Sequence, residues 1–160
     1  MTIHFGYEKP KVLQALRYHF ISRPEIRIML ILVNVFAIAS IVLYAMKMVN
    51  PLAFLLGSFL WIVLMISFWF ILPGLVYRRA ETFKHDFSMD FSDNGFTLKH
   101  DNGGQKGWGW QSLSHYVESP HFFHLYFDPR SFFLVPKNGC RDSDEVHELR
   151  TLIKKHVKKG

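Results

Sequence analysis

Between Arg27 and Lys47 lie nineteen residues without a charged side chain, and between Lys47 and Arg78 lie thirty more. An α-helix rises about 1.5 Å per residue, so about 20 apolar residues cross a hydrocarbon core of about 30 Å. The first run, residues 28–46, meets that length, with Asn34 and Ser40 as its main polar interruptions. The second run is longer than one crossing requires. Its opening Met48-Val49-Asn50-Pro51 reads as a tight turn. The sequence then predicts a helix over about 52–72, which Pro73-Gly74 kinks or ends. A link of about four residues makes the two helices antiparallel neighbours, a helical hairpin over 26–77. Two buried helices of a water-soluble core are the poorer explanation, because so short a chain has little left to cover two helices that are apolar all round. A cleaved leader does not fit either: a mostly polar segment precedes the first run, and no small-residue cleavage site follows it.

Basic residues set the expected orientation. Lys9, Lys11, Arg17, Arg23 and Arg27 precede the hairpin and Arg78, Arg79 and Lys84 follow it, whereas the connecting turn holds only Lys47. The positive-inside rule then predicts a multi-pass protein of the cytoplasmic membrane with both termini in the cytoplasm and Arg23, Arg27, Arg78 and Arg79 flanking the bilayer. Trp69 and Tyr77 read as interfacial anchors and Trp61 as a packing residue nearer mid-span. Asn34 in hydrocarbon requires a partner, and the expected one is an interhelical hydrogen bond, within the hairpin or between copies. Neither run holds Asp, Glu, His, Lys or Arg, which argues against an ion or proton pathway.

The net charge of +6 is unevenly distributed: residues 1–27 carry five basic and two acidic side chains, and residues 78–160 carry thirteen and eleven. The region after the hairpin is therefore nearly neutral. It lacks the basic stripe that nucleic-acid binding requires, so no nucleic-acid partner is expected. The single cysteine, Cys140, excludes an internal disulfide and suits a reducing compartment.

Residues 2–7 alternate, with Ile3, Phe5 and Tyr7 on one side, and predict a short strand. Val12, Leu13, Leu16 and Phe20 have helical spacing, so residues 1–25 read as a cytoplasmic strand and amphipathic helix. After the hairpin the period becomes two, in a cytoplasmic domain over 78–160. Phe87, Met89 and Phe91 alternate with polar residues; Asp93-Asn94-Gly95 is a turn; Phe96, Leu98 and His100 alternate again; Asp101-Asn102-Gly103-Gly104 is a second turn. Trp108 and Trp110 are expected on one face of the next strand, which continues over 113–118, and strands over 122–127 and 132–135 follow, about five short antiparallel strands in all. Asp142 with Glu145 caps a last helix whose apolar stripe is Val146, Leu149, Leu152, Ile153 and His156 or Val157. The expected fold class is α+β: a two-helix transmembrane hairpin and a small antiparallel β domain of pleckstrin-homology (PH) type, closed by a C-terminal helix. The N-terminal strand and helix, separated from the meander by the hairpin, are expected to complete that domain.

Four stretches bear on family. They are Asp93-Asn94-Gly95-Phe96, Gly107-Trp108-Gly109-Trp110-Gln111-Ser112-Leu113, Phe122-Phe123-His124-Leu125-Tyr126 and Phe133-Leu134-Val135-Pro136-Lys137. With Glu148-Leu149-Arg150 in the closing helix, they resemble the YcxB-like bacterial membrane family over about residues 88–155. The chain departs from the pattern after Pro136-Lys137, where Asn138, Gly139 and Cys140 replace the usual Arg and large apolar residue. The resemblance implies two spans, a bacterial inner-membrane location and a cytoplasmic domain, and implies no chemistry.

The residues themselves carry no catalytic signature. His121 and His124 are three apart on a strand, hence on opposite faces, and with His100 and His115 they lack the Cys, Asp or Glu that completes a zinc spacing, so no metal is expected. Cys140 beside Arg141 suggests a lowered pKa, but nothing fixes a base next to it. The glycine-rich loop at 101–104 does not open a helix and lacks the lysine and hydroxyl of a phosphate loop. Trp108 and Trp110 are either core or, if exposed, an aromatic hot spot. With Phe122, Pro136 and Lys137 they form the expected interface. The expected function is non-enzymatic: a bacterial inner-membrane protein presenting its domain to a protein partner or another copy at the lipid bilayer, without a cofactor. Two alternatives belong to other classes. One is an immunity or regulatory protein against a membrane-acting toxin or enzyme. The other is a lipid-handling enzyme, which requires a convergent polar pocket.

Overall fold

The computed structural model describes residues 1–160. It comprises two compact units, Met1–Ala15 with Ala80–Gly160, and Leu16–Arg79. The division falls within α1 (Lys9–Ser22), whose buried residues Val12, Ala15, Leu16 and His19 follow the i, i+3, i+4, i+7 rule. This stripe differs from the expected one: Leu13 and Phe20 are only half-buried, and His19 lies inside instead. Burial, and secondarily the charge of Arg23, pushes the His19 pKa down to about 4, so the ring is neutral at pH 7.

The first unit is built on two antiparallel sheets. One has the order β1 (Thr2–Phe5), β2 (Phe87–Ser92), β3 (Gly95–His100), β4 (Gln105–Gly109). The other is β5 (His115–Glu118), β6 (Phe122–Tyr126), β7 (Phe132–Pro136). Six strands therefore follow the apolar helices, where about five were expected. The register sets Ile3 opposite Met89 and Phe5 opposite Phe87, so the alternating apolar residues of β1 and β2 share one buried face. All five residues of β6 are buried, as befits a central strand covered on both faces. α5 (Ser143–His156) is started by Asp142, whose carboxylate accepts the Glu145 N–H at 2.9 Å. Its Leu149 and Ile153 enter a core of Ile3, Phe87, Met89, Phe91, Trp110, Phe123, Leu125 and Val135.

Trp108 and Trp110 do not share a strand face. β4 ends at Gly109, and Trp110–Ser112 forms a 3-10 turn that swings the second indole into the core before β5 begins at His115. Asp93-Asn94 forms the two-residue β2–β3 turn, and Gly95 follows with φ +157°. A Cβ on Gly95 would overlap the Trp108 carbonyl oxygen.

The second unit contains α2 (Pro24–Ala45) and a second apolar helix made of α3 (Pro51–Ile66), a π-helical turn (Ser67–Ile71) and α4 (Leu72–Arg79). Both are long and apolar enough to cross a membrane. Phe36 and Phe59 are 70% and 67% exposed and neither α2 nor α3 buries a residue, so water is a poor solvent for this surface. The turn is set locally. The Met48 N–H bonds the Leu43 carbonyl (3.0 Å) and the Lys47 N–H the Tyr44 carbonyl (2.9 Å), with Lys47 left-handed at φ 57°. The Asn50 side chain then caps α3 by accepting the Leu52 N–H at 3.1 Å, and Pro51 occupies the first helical turn.

Two expectations change here. Asn34 does not bond across helices: its amide donates to the Leu30 carbonyl one turn back at 2.7 Å, the nearest acceptor for a short side chain on a helix. Pro73 does not end the second helix. The π turn accommodates the missing N–H, and the helix continues to Arg79.

Substituting Gly95→Ala should lower stability by about 2–4 kcal/mol, because the β3–β4 pairing must open to admit the methyl group. Thermal unfolding of the detergent-solubilised chain checks this; an unchanged midpoint contradicts the assigned close approach.

Candidate functional site

Two residues of the sequence motifs, Lys137 and Arg150, meet at Glu118. β5 carries Glu118 at its end, β7 delivers Pro136 and then Lys137, and α5 supplies Arg150. Lys137 Nζ lies 2.7 Å from Glu118 Oε1. Arg150 Nε bonds both carboxylate oxygens at 3.1 Å, and Nη2 bonds Oε1 at 2.8 Å. Beneath them, the buried Phe123 ring lies 5.1 Å from Lys137 Nζ and 5.9 Å from Arg150 Cζ. The Arg150 hydrogen bonds hold the Glu118 pKa down at about 2 against the opposing effect of burial, with the Lys137 hydrogen bond and charge adding to the depression. The cluster therefore carries one net positive charge over an aromatic floor.

Beside it is a narrow cleft lined by Glu8, Lys11, His121, Phe122, Pro136 and Asn138, of about 40 Å³. That volume holds about one water and no substrate. Its mouth is already paired: Lys11 with Glu8 at 2.9 Å and Asn138 with Glu8 at 3.3 Å.

Of the expected interface residues, Trp110, Phe122 and Pro136 are buried, so their apolar surface is taken up by the domain's interior and is not available to a partner. Trp110 also donates Nε1–H to the Ser92 carbonyl at 2.9 Å and stacks on His156 at 5.4 Å. Trp108 is half-buried on edge strand β4, stacked on Phe96 at 5.5 Å with Lys106 Nζ 5.3 Å from its ring. Lys137 is engaged as described. Arg27, Arg78 and Arg79 are exposed, and Arg23 pairs with Glu25 at 3.7 Å.

The histidines separate. His124 is fully buried with Nε2 3.0 Å from Ser119 Oγ, His115 stacks on Tyr126 at 4.4 Å, His100 packs edge-on to Phe87 at 4.5 Å, and His121 lines the cleft. No three potential ligand side chains come together. Cys140 is not activated by Arg141: burial first, then the charges of Glu145 and Asp142, push its thiol up to about 11. Arg141 points into solvent and reaches only Glu145 at 4.0 Å. Neither Glu118 nor Arg150 is among the interface residues expected from sequence. Arg150 stands in the Glu-Leu-Arg motif; Glu118 has no local signal beyond being an acid in an aromatic-rich meander.

Two predictions follow from this chemistry. Glu118 is depressed in the fold, so its contribution is present above its ordinary pKa and is lost as pH falls from about 4.5 to about 2. Glu118→Gln should lower stability by about 2 kcal/mol at pH 7, allowing for solvent screening, and should flatten the pH dependence of the melting midpoint across that window. Cys140 should react with a thiol reagent at pH 7.5 at least about tenfold more slowly than an unperturbed cysteine, approaching its rate only on unfolding.

No curated protein and no solved structure matches the chain. Residues 91–153 match the family model described as YcxB-like protein. That segment runs from the end of β2 into α5 and contains Glu118, Lys137 and Arg150 together with both domain tryptophans. Over residues 91–153, then, the chain is similar to the YcxB-like family.

Proposed function

We propose that this is a non-enzymatic bacterial inner-membrane protein whose hairpin crosses the bilayer twice and whose PH-like cytoplasmic domain engages a protein partner at the membrane. One observation carries this reading: β1, which precedes the apolar helices, pairs along its length with β2, which follows them. A domain closed across an insertion holds both ends of that insertion on one side, as two crossings require. The flanking Arg23, Arg27, Arg78 and Arg79, against a turn with only Lys47, favour the cytoplasm as that side. A four-stranded and a three-stranded antiparallel sheet with a C-terminal helix support the PH-like assignment. With Trp110, Phe122 and Pro136 buried, the partner-facing surface in this proposal is the outer edge of β4. There Trp108 and Lys106 flank backbone groups that no neighbouring strand takes up.

Single cysteines in a Cys140→Ser background test the topology in intact cells. An impermeant reagent applied from outside should label Val49→Cys and leave Asn102→Cys unlabelled; the opposite pattern overturns the orientation. A photocrosslinking residue at Gln105 should give one discrete protein adduct. Absence of an adduct, combined with hydrolysis or transfer of a lipid by the purified chain, overturns the non-enzymatic reading.

A further inference from the structure

One carbonyl of the second apolar helix cannot take its α-helical donor. In α-helical register, the Trp69 carbonyl accepts from residue 73, but residue 73 is proline and has no N–H. In the preceding π turn the Leu72 N–H goes to the Ser67 carbonyl, five residues back. Arg17 supplies the missing donor: its Nε lies 2.8 Å from the Trp69 oxygen. Its guanidinium carbon lies 5.3 Å from the Trp69 ring and 5.5 Å from the Phe70 ring. All of these groups belong to one compact unit. The guanidinium is thereby fixed by one hydrogen bond and two aromatic faces.

The donors on its two Nη atoms are left over. Arg17 makes no ion pair, and the nearest acid in sequence on the hairpin side, Glu25, pairs with Arg23. The depth of the group follows from helix length. Pro51 to Ile71 is 21 residues, about 31 Å of helix, so Trp69 and Phe70 lie where a span starting at Pro51 leaves the hydrocarbon. A cation held at that depth with a free pair of parallel N–H donors matches two oxygens of a phosphate.

We infer that Arg17, oriented by the Trp69 carbonyl and the Trp69 and Phe70 rings, is a binding site for the phosphate of a membrane phospholipid. The inference rests on the reading of the hairpin as membrane-spanning. The carbonyl and the lipid use different nitrogens of the same guanidinium, so lipid binding does not uncap the helix. Lysine cannot do both with the same geometry, because its ammonium has no planar fork.

The test uses the full chain in dodecyl maltoside and native mass spectrometry. Phosphatidylglycerol is titrated against diacylglycerol of the same chains. Arg17→Gln alone risks exposing the Trp69 carbonyl, so it is paired with Pro73→Ala, which returns an N–H to that carbonyl. Pro73→Ala alone should bind phosphatidylglycerol like the wild type. The double variant should bind it about fivefold more weakly, the scale of one basic residue at an anionic surface. Diacylglycerol should be retained poorly by both. Wild-type affinity in a double variant that still floats with liposomes overturns the phosphate site and leaves the hairpin reading intact. Failure of the wild type itself to float overturns the hairpin reading. Equal retention of diacylglycerol, or displacement of the lipid by millimolar inorganic phosphate, overturns the lipid-phosphate assignment.

Discussion

The pairing of β1 with β2 is the interaction on which the rest of the domain depends. Two strands that are hydrogen-bonded neighbours are separated in the chain by both long apolar helices. Closing so long a loop costs only slightly more than closing a short one, because the entropic term grows with the logarithm of length. The compensation is local and apolar: Ile3 and Phe5 bury the same face as Phe87 and Met89. Without β1, that face and the backbone edge of β2 would be open to water. The edge opposite is β4, and the domain leaves it uncovered.

Much of this was legible from pattern alone, for physical reasons that differ by element. The apolar helices announce themselves because hydrocarbon tolerates no charge, so their limits are marked by Arg27, Lys47 and Arg78. β2, β3 and β6 are legible because turns built on Asn, Gly and Pro punctuate a period of two. The errors arise where a short deviation breaks the period. The 3-10 turn at Trp110–Ser112 moves one tryptophan from strand to core, and no composition signal marks it. On α1, His19 replaces Phe20 on the buried stripe because an imidazole kept neutral packs like an apolar ring. Asn34 suggests a bond within the hairpin or between copies, but its amide finds the carbonyl one turn back on its own helix.

The site was less legible than the fold. Sequence proximity cannot bring Glu118, Lys137 and Arg150 together; only the β5–β6–β7 order and the packing of α5 do. The cluster is better understood as a clasp than as a reactive centre. Its carboxylate is saturated by two cations, its floor is an apolar ring, and the neighbouring cleft admits about one water. Removing Glu118 leaves two cations in near contact over Phe123, so the cluster behaves as a unit.

The division of the β domain also governs the order in which the protein is made. At about 5–20 residues per second, β2 leaves the ribosome several seconds after β1. Throughout that delay β1 has no neighbour with which to form a ladder, while both apolar helices emerge and demand a non-aqueous environment at once. On the proposed membrane-spanning reading, lipid insertion is a step the nascent chain completes before its β domain closes. A ribosome stalled anywhere before Phe87 would leave the apolar helices attached to a β1 without its ladder, and quality control would meet that species rather than a half-built sheet.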